Sequence, residues 1–312
     1  MKALITGGTG FVGQHLAKRL PEPIIAGRSV EKIRHLFADI EVRKWDGSSD
    51  AGPSFLDGVD TIFHLAGESI FHGRWDDAKK ERIRASRIEG TRHLVDIIAK
   101  TEKRPATLIC SSAVGYYGSR QDEKLTEKSA PGDDFLAKVC RDWEKEALRA
   151  EEYGVRVVLI RTGVVLGDDG GALAQMLLPF RLGLGGRLGN GSQYMSWIHI
   201  DDLTAIMLYA MENHNLRGPI NAVTPNPVTN SEFTHALAKA LQRPAFLPVP
   251  GFALKIVLGE FANVLLGSQR VVPEVLQQAG YTYIFPEIQA ALKKLLSFQP
   301  KAIEETGEPL AK

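Results

Sequence analysis

The chain has 312 residues, and its 38 Lys and Arg residues balance 37 Asp and Glu residues, which gives a formal net charge of +1. This balance excludes the large single-sign field on which general nucleic-acid and membrane-surface binders depend. With 44% hydrophobic and 24% charged residues, the composition is that of a globular protein. The two cysteines, Cys110 and Cys140, are too few for a disulfide framework or a four-cysteine zinc site, and they fit a reducing compartment.

Short apolar segments alternate with helical patterns in the first half of the chain. The segments are rich in Val, Ile and Leu with little polar alternation, which is typical of strands buried on both faces of a parallel sheet. Helices are predicted between them over Phe11–Leu20 and Asp133–Ala150, the second capped by Asp133 or Asp134. This order predicts an α/β fold with a Rossmann-type doubly wound parallel sheet. The predicted strands are Lys2–Thr6, Pro23–Ala26, Glu41–Lys44, Thr61–Leu65, Thr107–Ser111 and Arg156–Arg161.

The second half of the chain predicts a smaller, substrate-side α/β region. Five glycines mark Leu182–Gly191 as a loop. Helices are predicted over Asp201–Glu212 and Thr229–Leu241, the latter capped by Asn230 or Ser231.

Neither a secretory signal nor a membrane span is predicted. The apolar run at Met1–Thr6 ends at a glycine cluster and is too short for a signal core. The apolar segment Leu247–Leu266 contains prolines and charges, whereas a span needs about 20 mostly apolar residues. We therefore interpret it as a buried amphipathic helix and predict a cytoplasmic protein.

A glycine-rich turn follows the first predicted strand and opens a helix. It reads Thr6-Gly7-Gly8-Thr9-Gly10-Phe11-Val12-Gly13. At this spacing the first glycine allows a tight turn, the second lets backbone approach a pyrophosphate, and the third packs the helix against the sheet. The helix N-terminus adds free N–H groups and a positive dipole end. We therefore predict dinucleotide binding, with contacts from Gly7, Thr9, Gly10, Phe11, Val12 and Gly13.

The end of the second strand favours NADP over NAD. An NAD site places Asp or Glu there to hold the ribose 2′-hydroxyl, whereas this chain has Gly27-Arg28-Ser29. Arg28 and Ser29 can bind a 2′-phosphate. Trp45 and Asp46, after the third strand, are predicted to lie near the adenine edge. The cofactor ribose is expected beside Leu65, Ala66 and Gly67, after the fourth strand.

These signals divide the chain. An NADP-binding Rossmann domain is predicted over residues 1–165, and residues 198–225 return to it. The substrate-side domain takes residues 166–197 and 226–297 and includes a small helical C-terminal unit over 246–297. Residues 298–312 are polar and charged, which predicts a flexible tail.

Further motifs carry a family resemblance. The chain resembles the extended short-chain dehydrogenase/reductase superfamily, and within it the atypical YfcH-like "epimerase family" branch with a small C-terminal extra domain. The branch-like stretches are Arg84–Ile88, Phe135–Glu144, Met176–Gly186 and Val249–Leu296. The superfamily-like stretches are the glycine turn, His64–Gly67, Ser111–Gly118, Arg161–Val164 and Trp197–Asp202. The resemblance implies a nucleotide cofactor, while the reaction of the branch is unsettled.

The sequence departs from the superfamily at its reacting groups. The resemblance implies a Tyr and a Lys four residues apart on the helix Asp133–Ala150, but those positions fall on Leu136 and Cys140, or on Phe135 and Val139 in the next register. The Ser position falls on Ala113. Because Tyr alone has a pKa of about 10, proton transfer needs another group.

Several side chains are candidates for the missing roles. Arg87 lies on an apolar helical stripe, so it needs a partner, which is a cofactor group or an internal carboxylate. Glu68 is predicted to hold a ribose hydroxyl or to cap the next segment, and Val164 to pack its backbone against the nicotinamide end. Ser112 and Tyr116 are the predicted catalytic residues.

The remaining candidates are weaker. One of the two tyrosines at 116 and 117 is expected in the core. His64 and His199 are interpreted as structural, and no residue grouping has convincing metal spacing.

Two functions remain open. One is an NADP-dependent oxidoreductase that reduces a carbonyl, or a nucleotide-sugar-type epimerase, acting on an unidentified small molecule. The alternative is a non-catalytic NADPH-binding sensor or regulatory module, favoured by the missing Tyr and Lys. A nucleic-acid or membrane partner is not expected, and a homodimer is left open. Epimerisation needs a base as well as an acid, so the missing residues weigh more against it than against reduction.

Overall fold

Seven parallel strands form the central sheet of the protein, whose computed structural model describes residues 2–48, 51–71 and 73–297. The sheet order is β3-β2-β1-β4-β5-β7-β11. The order reverses between β1 and β4, so the topological switch point lies at the carboxyl ends of these two strands. The strands, numbered in chain order, are β1 (Ala3–Thr6), β2 (Pro23–Gly27), β3 (Glu41–Lys44), β4 (Thr61–His64), β5 (Thr107–Ala113), β6 (Lys124–Leu125), β7 (Arg156–Thr162), β8 (Val164–Leu166), β9 (Tyr194–Met195), β10 (Trp197–His199), β11 (Gly218–Ala222), β12 (Val228–Thr229) and β13 (Arg270–Val271).

Helices cover both faces of this sheet. On one face α3 and α4 bury Leu94 and Trp143 against the strands, and on the other face α1 and α6 bury Leu16 and Ile206. Burial on both faces explains the continuous apolar runs in the strands. The helices are α1 (Phe11–Ala17), α2 (Val30–Leu36), α3 (Asp77–Lys100), α4 (Phe135–Leu148), α5 (Gly171–Arg181), α6 (Ile200–Glu212), α7 (Asn230–Leu241), α8 (Gly251–Leu258), α9 (Phe261–Leu266), α10 (Glu274–Gln278) and α11 (Ile288–Ser297).

A third apolar core lies in the part of the chain that is predicted to form the substrate-side domain. Phe180 of α5, Phe233 of α7 and Leu292 of α11 meet there with Trp197 of β10. Short strand pairs connect this part to the rest of the chain: β8 pairs with β10, β9 with β12 and β6 with β13.

The predicted Rossmann-type doubly wound parallel sheet is confirmed. Each strand predicted for the sheet lies within two residues of the observed one, and β11, inside residues 198–225, joins the same sheet. Asp134 caps α4, because its Oδ1 accepts a hydrogen bond from the Ala137 nitrogen at 2.9 Å. The domain boundaries themselves stay predictions.

Two local predictions are wrong. The cap of α7 is Thr229 rather than Asn230 or Ser231, because Thr229 and Glu232 complete a reciprocal capping box. The segment Leu247–Leu266 is not one buried helix. It breaks at Gly259, where φ is +60°, into α8 and α9. Three large apolar side chains of α8 lie in solvent, since Phe252, Ile256 and Val257 are 70%, 77% and 79% exposed.

Within the described ranges, no helix has the length and apolar character needed to cross a membrane. The flexible tail predicted over residues 298–312 lies outside the described residues.

Candidate functional site

The turn between β1 and α1 presses its backbone against the end of β4. Gly7 has a φ of +72°, and a Cβ there would lie 2.8 Å from the Ala66 nitrogen. A Cβ at Gly13 would lie 2.4 Å from the Gly7 oxygen, so only glycine fits at both positions. The Gly10 nitrogen donates to the Gly7 oxygen at 2.9 Å and closes the turn at the start of α1. This is the close packing that a pyrophosphate-binding turn requires.

Phe11 anchors the start of α1 to the loop that follows β8. A Cβ at Gly167 or Gly170 would come within 2.3 Å or 2.5 Å of the Phe11 ring, so the loop backbone lies directly on the ring. Val164 is half-buried in β8, just before this loop. Among the other predicted cofactor residues, Thr9 accepts a bond from Gln14 through its carbonyl, and Val12 packs against the core.

Arg28 stands exposed at the end of β2, on the same edge of the sheet as the glycine turn. Within the described residues it forms no ion pair. Ser29 caps α2, because its hydroxyl accepts a bond from the Lys32 nitrogen at 3.2 Å. The Ser29 hydroxyl proton remains available to an anion beside Arg28.

Arg87 is held by backbone atoms beneath the loop after β4. Its Nη1 donates to the carbonyl oxygens of Glu68, at 3.0 Å, and Ile83, at 3.2 Å. The guanidinium carbon lies 5.3 Å from the ring centroid of Trp143. A Cβ at Gly67 would lie 3.2 Å from the same guanidinium carbon. Burial lowers the pKa of Arg87. Within the described residues it forms no salt bridge with a carboxylate, but the charge of Glu68 acts on it and opposes the effect of burial on its pKa.

Glu68 is tied to α3 rather than left open. Its carboxylate lies 2.6 Å from the Nζ of the buried Lys79 and 3.9 Å from Arg82. The hydrogen bond from Lys79 holds the pKa of Glu68 below its usual range, with smaller contributions from Arg82 and Arg28. Together with the Arg87 bond to its carbonyl, this pairing fixes the loop that follows β4.

Trp45 belongs to the core and does not offer its ring to a ligand. It is 4% exposed and packs against Phe55 and His64, with ring centroids 5.6 Å and 6.1 Å away. This burial argues against the predicted contact of the indole with adenine. Asp46 is exposed beside it, and its Oδ1 accepts a bond from the Ser48 nitrogen.

A buried ionic network lies at the ends of β5 and β7. The Ser112 hydroxyl donates to Glu144 Oε1 at 2.6 Å, and Arg161 binds both Glu144 oxygens at 2.8 Å each. Burial opposes the charge of Arg161, but the bonds to Glu144 raise its pKa. Ser112 is 4% exposed, so its hydroxyl orients this carboxylate and has little surface to offer a substrate.

The two adjacent tyrosines divide their roles. Tyr117 is fully buried, donates to Asn221 at 2.7 Å and accepts from Arg161 at 3.0 Å. Burial raises the pKa of Tyr117 to about 12. Tyr116 is half-buried, and its ring stacks on the Arg161 guanidinium at 3.5 Å. Of the two predicted catalytic residues, Ser112 is buried and Tyr116 is half-buried, so Tyr116 offers more surface to a substrate.

The positions implied for Tyr and Lys are apolar in this chain. A Cβ at Gly115 would lie 3.5 Å from the Leu136 Cβ and 3.9 Å from the Cys140 sulfur, so both side chains lie under the turn after β5. Burial raises the pKa of Cys140 to about 12, which keeps the thiol protonated. Neither side chain can exchange a proton at neutral pH.

The two histidines interpreted as structural are both buried. His64 is buried, and its ring nitrogens lie 2.7 Å and 3.0 Å from the hydroxyls of Thr6 and Thr91. His199 accepts a bond from the Asp201 nitrogen at the start of α6 and stacks on Phe285. The part of the chain that the structure describes contains no group of three metal-ligating side chains.

Sequence reasoning missed the Glu144–Arg161 pair, although a signal was present. Arg161 directly follows four apolar residues in β7, where every side chain from Arg156 to Arg161 is buried. A charge at such a position needs a buried partner. Glu144 lies on the buried face of α4, next to Trp143, and supplies it.

The chain belongs to the NAD dependent epimerase/dehydratase family. Residues 3–222 match that family and residues 249–295 match a domain of unknown function, DUF1731. This confirms the resemblance to the short-chain dehydrogenase/reductase superfamily and its branch with a C-terminal extra domain.

Several proteins and solved structures are similar to this chain over almost its whole length. "Epimerase family protein SDR39U1" of Mus musculus is 39% identical over 301 residues, which cover 95% of this chain and 100% of that protein. "Epimerase family protein YfhF" of Bacillus subtilis is 38% identical, with 95% and 98% covered. The crystal structure of human epimerase family protein SDR39U1 (isoform2) with NADPH superposes with a TM-score of 0.88 at 36% identity, over 96% of this chain and 100% of that chain. UDP-glucose 4-epimerase of Thermotoga maritima shares the fold, with a TM-score of 0.77 at 18% identity.

Proposed function

We propose that the protein binds NADP(H) and uses it to reduce the carbonyl group of a small molecule. The observation that carries the cofactor part is the pairing of the glycine turn with Arg28 and Ser29 at the end of the adjacent strand β2, where no acid stands. A cation and a hydroxyl favour a 2′-phosphate, whereas an acid would repel it. The similar human SDR39U1 structure, which contains NADPH, supports the same assignment.

Arg87 is the second proposed cofactor contact. Its Nη1 is used by two carbonyls, and its charge lacks an ion-pair partner in the described residues. A phosphate or ribose of the cofactor would supply that partner beside Gly67. Leu65, Ala66 and Gly67 would then pass along the cofactor with backbone only, beside Gly7, where a Cβ would lie 2.8 Å from backbone atoms of Leu65 and Ala66.

The proposed chemistry needs one hydride and one proton. Bound NADPH supplies the hydride. Tyr116 donates the phenol proton to the carbonyl oxygen as that oxygen gains charge, and solvent returns a proton to Tyr116. The stacked Arg161 cation stabilises the negative charge that forms on the ring oxygen, a role that Lys holds in the superfamily pattern. Ser112 and Glu144 act as positioning residues, because they fix the Arg161 guanidinium.

The competing function is an NADPH-binding sensor without turnover. Leu136 and Cys140 at the Tyr and Lys positions favour it, since both are apolar and buried or half-buried. A nucleotide-sugar epimerase is less favoured, because inverting the configuration of a sugar carbon needs a base in addition to the acid Tyr116. The cytoplasmic location, the small-molecule substrate and a homodimer stay predictions.

A two-part experiment separates these functions. Purified full-length protein is titrated with NADPH and with NADH by calorimetry. The NADPH complex is then incubated with a panel of aldehydes and ketones while the absorbance of the reduced nicotinamide is followed, and nucleotide sugars are tested for epimers by NMR. NADPH preference with oxidation by a carbonyl supports the reductase. NADPH preference without turnover on either panel supports the sensor, and equal or absent binding of both cofactors overturns the proposal.

A further inference from the structure

Tyr116 lies on a 3₁₀ turn, Val114–Tyr117, which follows β5. The Gly118 nitrogen closes this turn by donating to the Gly115 oxygen at 3.1 Å. A 3₁₀ turn contains few hydrogen bonds, and their geometry is poorer than in an α-helix. The position of the Tyr116 side chain therefore depends on contacts between this turn and the rest of the chain.

The side chain of Gln269 holds both ends of this turn. Its Nε2 donates to the carbonyl oxygens of Val114 and Gly118, at 3.1 Å each. Carbonyl oxygens can only accept, so the amide has to present its nitrogen, which carries two N–H groups. One half-buried side chain thus bridges the first residue of the turn and the residue that follows its last.

The backbone of Gln269 is fixed by the substrate-side strand β9 and the residue after it. The Gln269 nitrogen donates to the Tyr194 oxygen at 3.1 Å, and the Gln269 oxygen accepts from the buried Ser196 hydroxyl at 2.7 Å. The same Ser196 oxygen accepts from the Val271 nitrogen at 2.8 Å. Gln269 therefore connects the turn that bears Tyr116 to the substrate side of the protein.

Ser268 adds contacts to the loop that follows the turn. Its nitrogen donates to the Ser119 hydroxyl at 3.1 Å, and its carbonyl oxygen accepts from the Arg120 nitrogen at 2.9 Å. Two consecutive residues, Ser268 and Gln269, thus contact the turn and the loop behind it. A displacement of this segment would displace Tyr116 as well.

The turn lies between the central sheet and the C-terminal unit. On the sheet side the Tyr116 ring stacks on Arg161 of β7. On the other side Gln269 belongs to residues 249–295, which match DUF1731. The proposed proton donor is therefore held by a segment outside residues 3–222, which match the epimerase/dehydratase family.

We propose that Gln269 is a positioning residue for the reaction. It holds the turn so that the Tyr116 hydroxyl faces the substrate carbonyl, and it exchanges no proton itself. The inference rests on the proposed role of Tyr116 as proton donor. Misplacement of a reacting group by about 1 Å can lower a rate by about 100-fold, so a small movement of the turn matters. The C-terminal unit thereby takes part in the reaction site.

The position of Tyr116 can be followed in the full-length protein without a substrate. The seven tyrosines are replaced by fluorotyrosine, and the fluorine NMR signal that is missing from Tyr116→Phe belongs to Tyr116. Gln269→Met keeps the length of the side chain and removes both N–H groups. We expect the Tyr116 signal to shift or broaden in this variant, while thermal melting verifies that it is folded.

Gln278→Met is the matched control. It removes the same amide from an exposed position of the same unit, where Gln278 donates to Glu274 at 2.9 Å. The Tyr116 signal should stay in place in this control. An unchanged Tyr116 signal in Gln269→Met overturns the proposal, whatever the activity of the protein.

Turnover of a carbonyl that the wild type reduces gives the second readout. Gln269→Met should lower kcat by about 10-fold to 100-fold and leave the affinity for NADPH unchanged. In the Tyr116→Phe background the same substitution should lower kcat no further, because its effect passes through the lost hydroxyl. Equal losses in both backgrounds would mean that Gln269 supports the fold in general, and they overturn the proposal.

The remaining outcomes separate this inference from the proposed function. A loss of turnover in Tyr116→Phe that Gln269→Met does not reproduce refutes the role of Gln269 alone. Wild-type kcat in Tyr116→Phe, or no turnover of any carbonyl by the wild type, refutes the proposed function and this inference together.

Discussion

The guanidinium carbon of Arg161 lies 3.5 Å from the ring centroid of Tyr116, and the same guanidinium is held by both carboxylate oxygens of Glu144. A cation thus contacts the half-buried tyrosine although the Lys position on α4 is occupied by Cys140. This contact between a cation and the tyrosine ring is the observation on which the proposed role of Tyr116 depends.

Replacement of Tyr116 by Phe tests its role as proton donor. Loss of a general acid lowers turnover by roughly 10²–10⁴-fold, and we expect this drop in kcat with any carbonyl that the protein reduces. NADPH affinity should not change, because the ring and its stack on Arg161 remain. Tyr153→Phe, at a tyrosine that contacts Arg104, is the matched control and should retain full turnover. A Tyr116→Phe variant with wild-type kcat would assign the proton to another donor.

Replacement of Glu144 by Gln should destabilise the fold strongly. The change leaves the Arg161 charge buried without a counter-charge, and breaking a buried pair in this way costs about 3–5 kcal/mol. Urea unfolding of the variant and the wild type measures the difference in free energy of unfolding. Glu123→Gln breaks the exposed pair with Arg120 and should cost less than about 1 kcal/mol. Equal effects of the two substitutions would mean that the buried pair contributes no more than a surface one.

The fold was predictable to within a few residues because its signals are local. Apolar runs marked the strands, and the glycine spacing marked the turn. The ionic network was not predictable from the sequence. Glu144 and Arg161 are 17 positions apart and meet only when α4 packs on β7. The burial of Trp45 depends on contacts with Phe55 and His64, so its position after β3 did not reveal it. The exposure of α8 is likewise a tertiary property that its apolar composition does not encode.

Replacement of Gly13 by Ala should abolish cofactor binding. The new Cβ would lie 2.4 Å from the Gly7 oxygen, so the turn has to move away from α1. NADPH titration of the folded variant measures the loss, and circular dichroism verifies folding. Gly90→Ala is the control within α3, where the new Cβ would lie 3.7 Å from the nearest atom. The control should bind NADPH normally, since the new methyl group meets no clash. It should also be no less stable, because Ala favours a helix over Gly by about 1 kcal/mol. Normal NADPH affinity in Gly13→Ala would refute the proposed role of the turn.

Replacement of Arg28 by Ala should reduce the preference for NADPH over NADH. One charge-assisted contact to the 2′-phosphate is worth roughly 1–3 kcal/mol, which converts to about a 5-fold to 150-fold loss of discrimination. Calorimetric affinities for both cofactors give this ratio directly. Arg34→Ala, an exposed arginine on α2, should leave the ratio unchanged. Discrimination that persists in Arg28→Ala would place the 2′-phosphate elsewhere.

Acidification should destabilise the fold through His64. Burial lowers the pKa of His64 from 6.5 to about 4, so the folded state disfavours the proton that the unfolded chain accepts. The unfolded chain therefore binds more protons between these two values, and the free energy of unfolding falls as the pH drops from 6.5 to 4. Above pH 6.5 the His64 ring is neutral in both the folded and the unfolded state, so it does not lower the free energy of unfolding there. The full shift corresponds to roughly 3 kcal/mol.

Urea unfolding across this pH range measures the loss, and NMR of the histidine rings reports whether His64 stays neutral to the lower pH. His64→Gln removes the titrating group, so its stability should depend less steeply on pH than that of the wild type, although the variant is less stable at neutral pH. His35→Gln, at an exposed histidine of α2, should keep the wild-type slope. His199, whose pKa burial also lowers to about 4, contributes to the slope that remains in His64→Gln, as do carboxylates such as Glu68 whose pKa is lowered in the folded state. A wild-type slope in His64→Gln would show that the buried ring does not govern acid stability.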